Sequence, residues 1–115
     1  MMKHLFAVLG VSAVGCAGAR VAPEKFEQSQ ASIRGAEEVG ADKVPAAKLH
    51  LQFAKDQTDR AKKMSAEGDA RAELMLARAR SDAELAVALS REEATRQEAA
   101  RAADELKALR GGVKP

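Results

Sequence analysis

The chain has 115 residues and a formal net charge of +2, because 19 lysine and arginine residues nearly balance 17 aspartate and glutamate residues. This balance excludes the basic surface that is typical of nucleic-acid-binding proteins. Alanine is the most common residue, and the only aromatic residues are Phe6, Phe26 and Phe53. A core built from such residues is thin, which favours helices packed side by side within a single domain.

Residues 1–19 have the pattern of a bacterial export signal. Lys3 supplies a positive charge near the start, an apolar segment runs from Leu5 to Val14, and small residues follow it. The apolar segment is shorter than the roughly 20 residues that a membrane-spanning helix requires. We therefore expect this segment to direct export and then to be removed.

Two cleavage sites compete in this region. Residues 17–19 read Ala-Gly-Ala, the small-x-small form that a general signal peptidase accepts, and cleavage there would release a protein that starts at Arg20. Residues 13–16 read Ala-Val-Gly-Cys and resemble the lipobox of bacterial lipoprotein precursors, which are cut before the cysteine, here between Gly15 and Cys16. We favour the second site, because the only cysteine of the chain lies where lipidation needs it.

The lipobox resemblance implies a defined chemistry at Cys16. Residues 1–15 would be the signal peptide, and residues 16–23 would be the lipidated cysteine and its tether. Cys16 would carry a diacylglycerol thioether and an N-linked acyl chain such as palmitate, more than the two chains that stable anchoring takes. By the same resemblance, Ala17 in place of an aspartate implies sorting to the periplasmic face of the outer membrane. A lone cysteine also excludes an intramolecular disulfide.

Two helices are predicted after the tether. Pro23 suits the first position of a helix, and Gly40 followed by Pro45 predicts the turn to the next one. In the first helix, apolar residues recur at helical spacing at Phe26, Ile33, Ala36 and Val39. The second helix should run from about Pro45 to Glu67, and its expected inner face consists of Leu49, Phe53, Arg60 or Ala61, and Met64.

A third, long helix is predicted over residues 69–110, a range without glycine or proline in which Asp69 is a suitable N-cap. Its length is about 60 Å at about 1.5 Å per residue. Steps of three and four residues trace a seam along it: Leu74, Arg78, Ser81, Leu85, Ala88, Glu92, Thr95, Ala99, Ala102, Leu106 and Leu109. Because two seam positions are charged, this is a weak coiled-coil seam that we expect to pack against its own chain. A capping box that starts at Ser90 would allow a kink there.

The predicted fold class is therefore all-α. We expect an elongated antiparallel helical hairpin or three-helix bundle with one long C-terminal helix, after an N-terminal signal helix. Residues 24–110 would form the alanine-rich helical domain, and residues 111–115 would be a disordered tail.

Residues 24–109 resemble the bacterial domain-of-unknown-function family 4398. The resemblance is carried by the export leader with its cysteine, the Gly40-Ala41 turn before Pro45, alanine at helical spacing and the run Asp82-Ala83-Glu84. It implies an alanine-rich helical domain of an envelope lipoprotein without an assigned activity. Some members carry a following peptidoglycan-binding domain like that of outer-membrane protein A. No residue of 24–109 corresponds to that domain, so peptidoglycan binding is not carried over.

No catalytic, metal or cofactor site is predicted. His50 is the only histidine outside the leader, whereas a metal site needs several converging ligands and acid-base catalysis needs a positioned partner. We expect His50 at the helix surface or boundary. The adjacent carboxylates at residues 37–38 and 92–93 point in different directions on a helix. We expect no small-molecule substrate and no nucleic acid.

The sequence is best interpreted as that of a non-enzymatic outer-membrane lipoprotein. Its periplasmic helical domain would have a structural or protein-interaction role with other envelope proteins. The alternative is a soluble periplasmic helical binder or chaperone, released by cleavage after Ala19. A third hypothesis, an amphipathic helix lying flat on lipid, is disfavoured because the third helix lacks a strong apolar face.

Overall fold

Three helices make up the part of the chain that the computed structural model describes, residues 20–112. They are α1 (Pro23–Glu38), α2 (Pro45–Ala66) and α3 (Ala72–Gly112), with a short 3-10 turn at Ala41–Lys43 before α2. No β-strand occurs within these residues. The predicted all-α fold with one long C-terminal helix is confirmed.

The helices alternate in direction. α1 runs parallel to α3, since Lys25 pairs with Glu73 and the Arg80 guanidinium contacts Gln28 one turn further along. α2 runs in the opposite direction and packs against both of them. The result is an elongated up-down-up bundle in which the pairing of α2 with α3 is the longest interface.

The ends of the helices follow from backbone chemistry. Pro23 and Pro45 begin α1 and α2, where the missing proline N–H costs nothing. Gly40 and Gly68 follow the ends of α1 and α2 with φ of 78° and 73°, a left-handed conformation that favours glycine. Both turns lie where the sequence predicted them, and α2 ends one residue before the predicted Glu67.

Alanine forms most of the interface between α2 and α3. Buried residues recur at alternating steps of four and three in both helices, which is the spacing of a coiled-coil seam. In α2 they are Ala47, Leu51, Ala54, Thr58, Ala61 and Ser65. In α3 they are Ala72, Leu76, Ala79, Ala83, Ala86 and Ser90. Side chains this small allow the two helix backbones to approach each other closely.

The predicted inner faces of α2 and α3 are largely wrong. Leu49 and Phe53 are 52% and 43% exposed, whereas Ala61 is buried and Met64 is half-buried. The predicted α3 seam lies outside the core, because its large residues Leu74, Leu85, Leu106 and Leu109 are all exposed. The bundle instead buries the line of small residues together with Leu51 and Leu76, and at its alanine positions a larger side chain would overpack the close contact between the helices.

α1 completes the core by packing against both α2 and α3. Ile33 and Ala36 are buried as predicted, Phe26 is half-buried, and Val39 is exposed at the end of the helix. A polar contact joins α1 to α2, where the hydroxyl oxygens of Ser29 and Thr58 lie 2.8 Å apart. The Thr58 hydroxyl also lies 2.8 Å from the carbonyl oxygen of Ala54. The Ser29 and Thr58 side chains are therefore hydrogen-bonded within the core.

The second half of α3, which we call the α3 extension (residues 91–112), continues past the bundle. The helix runs without a break through Ser90, whose hydroxyl donates to the carbonyl of Ala86 at 2.8 Å. The residues that follow on the core-facing line, Glu93 and Gln97, are polar, so the apolar interior ends here. All of the extension is exposed except the half-buried Glu93. α3 includes Gly111 and Gly112, which the sequence prediction placed in the tail.

Candidate functional site

The predicted lipidation site lies outside the described residues, which begin at Arg20. Gly15 and Cys16 therefore have no described position.

The start of the described chain is tied to one end of the bundle. The backbone N–H of Val21 donates to Ser65 Oγ at 3.0 Å, at the end of α2. The pair of Lys25 with Glu73, at the beginning of α3, lies at the same end. The described chain thus begins beside the α2–α3 turn.

The turn between α1 and α2 lies at the opposite end. It packs beside Ser90, and an open cleft of about 530 Å³ separates it from α3. Val39 and Lys43 line the cleft from the turn, and Glu93 and Gln97 line it from α3. The α3 extension starts at this cleft and continues away from the bundle. The start of the described chain and the extension therefore lie at opposite ends.

The residues of the predicted seam form an exposed line along α3, which we call the outer stripe. It runs on the side of α3 that faces away from the buried alanines. Its apolar members are Leu74, Leu85, Ala88, Ala99, Ala102, Leu106 and Leu109, and its polar members are Arg78, Ser81, Glu92 and Thr95. Within residues 20–112, α1 and α2 leave this stripe uncovered.

A groove between α1 and α3 borders the outer stripe. It has a volume of about 330 Å³ and a mainly apolar floor formed by Gly35, Val87 and Ala88. Glu84 and Arg91 stand at its rim, two helical turns apart on α3. The groove therefore combines an apolar depression with one acidic and one basic side chain.

A polar cluster joins the middle of α2 to α3. His50 Nδ1 donates to Asp82 Oδ1 at 2.8 Å, and Gln57 Nε2 donates to Asp82 Oδ2 at 2.8 Å. The ring of His50 also meets the ring of Phe53 edge to face, with their centroids 6.0 Å apart. Among the described residues, no group of three or more histidine, cysteine and acidic side chains is arranged to hold a metal ion. The cluster links two helices, and its geometry assigns it no reaction.

An ion pair organises the turn between α2 and α3. The Asp69 carboxylate accepts the backbone N–H of Arg71 at 2.9 Å and three further hydrogen bonds from its guanidinium, the shortest at 2.7 Å. Hydrogen bonding by the Arg71 side chain, and then by its backbone, lowers the pKa of Asp69 to about 2. α3 begins at Ala72 and not at the predicted residue 69, so Asp69 lies in the turn three residues before the helix, where its carboxylate caps that turn.

Sequence reasoning identified His50 but missed its partners. Asp82 and Gln57 lie on different helices, and nothing local in the sequence connects either of them to His50. The groove beside Gly35 was also missed, since it depends on how closely α1 and α3 pack. The recurring alanines were the sequence signal for the buried faces of α2 and α3. They were not chosen, because the leucines on the other faces are more hydrophobic.

Comparisons with protein families, curated proteins and solved structures found no match to this chain. Among residues 20–112, the helices lack an apolar stretch long enough to cross a membrane.

Proposed function

We propose that this protein is a non-enzymatic outer-membrane lipoprotein, anchored through Cys16, whose periplasmic helical domain has a structural or protein-interaction role in the cell envelope. The observation that carries the proposal is the attachment of Val21 to Ser65 at one end of the bundle. A lipid anchor a few residues upstream would hold that end, and the α3 extension lies at the other.

The anchor follows from the sequence of residues 13–16 and from the physical chemistry of acyl chains. Each buried methylene contributes about 0.8 kcal/mol, and a second chain makes anchoring stable. A cysteine with a diacylglyceryl group and an N-acyl chain meets that requirement. The resemblance of residues 24–109 to family 4398 agrees with this proposal and forms part of it.

The interaction role is supported by the exposed surface of α3. The outer stripe includes Leu85, Leu106 and Leu109, which are between 42% and 69% exposed. Exposed leucines on one side of a helix, outside its own bundle, are suited to contact another protein.

The anchor is tested by metabolic labelling. The full-length chain and its Cys16→Ser variant are expressed in a Gram-negative host that is fed a clickable fatty acid. We expect the wild type to be labelled and to fractionate with the outer membrane, and the variant to lose the label and the outer-membrane location. The matched control is Ala19→Asp, which destroys the small-x-small site at residues 17–19 but keeps the lipobox, and which should stay labelled.

Two results would contradict the proposal. One is a wild type that carries no fatty-acid label, together with an Ala19→Asp variant that is no longer cleaved. This is the outcome expected of the soluble periplasmic binder. The other is a Cys16→Ser variant that still fractionates with the outer membrane as the wild type does.

A further inference from the structure

We propose that the outer stripe binds a second copy of this chain, with the two α3 helices antiparallel and with Leu85 of one copy against Ala88 of the other. The inference rests on the proposed role of α3 as a protein-contact surface, but it does not depend on lipidation of Cys16. It is carried by the position of the charges on the stripe and by the groove beside it.

The charged members of the stripe favour the antiparallel orientation. Arg78 and Glu92 are its only charged residues, and they lie at equal distances along the helix on either side of Leu85. A parallel in-register pair would stack Arg78 on Arg78 and Glu92 on Glu92, and like charges in a seam oppose association. An antiparallel pair centred next to Leu85 brings Arg78 of each copy within about one turn of Glu92 of the other. Each of the two charges that interrupt the apolar line then lies near an opposite charge on the second copy.

The flanking charges favour the same register. In an antiparallel coiled coil, residues on the same edge of the two seams face each other, and their charges help to set partner and orientation. With Leu85 opposite Ala88, Glu84 of one copy faces Arg91 of the other, and two-fold symmetry makes this contact twice. A parallel pair would instead place Arg91 opposite Arg96. The flanking charges at residues 84 and 91 thus attract in the antiparallel register.

The groove between α1 and α3 matches this arrangement in shape. Ala88 forms part of its floor together with Gly35 and Val87. Leu85 is 42% exposed, and in the proposed register it lies over Ala88 of the second copy at the edge of the groove. A large side chain on each copy therefore meets a depression lined by small ones, the knob-into-hole arrangement of packed helices.

Charge reversal tests both the partner and the register. The mass of the full-length chain in a density-matched detergent is measured by sedimentation equilibrium, for the wild type, Glu84→Arg, Arg91→Glu and the double variant. We expect the wild type to dimerise and each single variant to raise the dimer Kd about tenfold, because two attractive pairs become repulsive. The double variant restores both pairs and should regain the wild-type Kd. Circular dichroism shows that each variant keeps its helices.

Three outcomes of this experiment would overturn the proposal. They are a wild type that remains monomeric, single variants with the wild-type Kd, and folded single variants whose loss of dimer the double variant does not restore. None of these outcomes bears on fatty-acid labelling of Cys16, so the two proposals fail separately.

A second variant tests the groove without changing any charge. A Cβ built on Gly35 meets no atom within 4 Å, so Gly35→Leu should be accommodated in the bundle while its side chain fills the groove. Replacing glycine inside α1 also favours the helix. We expect a folded monomer. A folded Gly35→Leu variant that dimerises with the wild-type Kd would contradict the proposed packing of Leu85.

Discussion

At the scale of single residues, Asp69 is the clearest case of a side chain whose surroundings change its chemistry. Its carboxylate receives hydrogen bonds from the side chain and backbone of Arg71 at the turn before α3, and its pKa falls from 3.8 to about 2. A carboxyl whose pKa is lower in the folded state stabilises the fold above its unfolded pKa. That contribution is lost as the pH falls from about 4 through about 2.

We predict that Asp69→Asn removes this acid-dependent part of the stability. The free energy of unfolding, measured by urea titration at several pH values between about 2 and 5, should vary less with pH in the variant than in the wild type. Near neutral pH the two proteins should differ little, because the side-chain oxygen of asparagine can also accept the backbone N–H of Arg71 and an exposed ion pair contributes little.

The Arg71→Gln variant provides the control for Asp69. Removing the guanidinium should bring the pKa of Asp69 back towards its ordinary value, which NMR titration of the carboxyl carbon measures. A wild-type Asp69 that titrates near 3.8, or an Arg71→Gln variant in which the titration does not move, would contradict this account.

At the scale of helices, the sequence predicts where each element begins and ends better than which face it buries. Pro45 and Gly40 act on the backbone of their own segment, so their effect can be read locally. The buried face depends on how close the partner helix lies. Leu85 is more hydrophobic than Ala83, yet Ala83 is buried, because the spacing between α2 and α3 leaves room only for a small side chain.

Polar contacts between different helices could not be predicted from the sequence either, because they also depend on how the helices pack. His50 was expected at a helix surface or boundary, and the structure places it half-buried against Asp82, thirty-two positions away in the sequence. The pair exists only because the line of small residues sets the register of α2 against α3. The residues of the outer stripe were identified from the sequence, but as a buried seam. Their exposure follows only from the structure, in which the core lies on the opposite face of α3.

The close packing of α2 and α3 predicts that enlarging a buried alanine is costly. Ala83→Leu places extra methylene groups where Ala83 has no exposed surface, and overpacking of this kind typically costs about 1–3 kcal/mol. The free energy of unfolding from urea titration measures the effect.

The matched control is Ala100→Leu, the same substitution on the exposed α3 extension and off the outer stripe. Its effect should stay within about 0.5 kcal/mol, as for most surface substitutions. Equal stability of the Ala83→Leu and Ala100→Leu variants would show that the two helices are not in close contact.

At the scale of the whole molecule, the two ends of the bundle differ. The described chain enters beside the α2–α3 turn through Val21 and Ser65, and the α3 extension leaves past the α1–α2 turn. In the proposed antiparallel pair, the two Arg20 ends lie at opposite ends of the assembly. Two lipid tethers reach a single membrane in that case only when the α3 helices lie along its surface, so dimerisation and anchoring together would fix the orientation of the rod.

The lipid on Cys16 is the central claim, and the intact mass of the native chain tests it most directly. The protein is purified from envelope membranes in detergent and its mass and N-terminal sequence are determined by mass spectrometry. The account predicts a chain that begins at Cys16 and carries a diacylglyceryl group together with an N-acyl chain. A chain that begins with an unmodified Arg20 would contradict it.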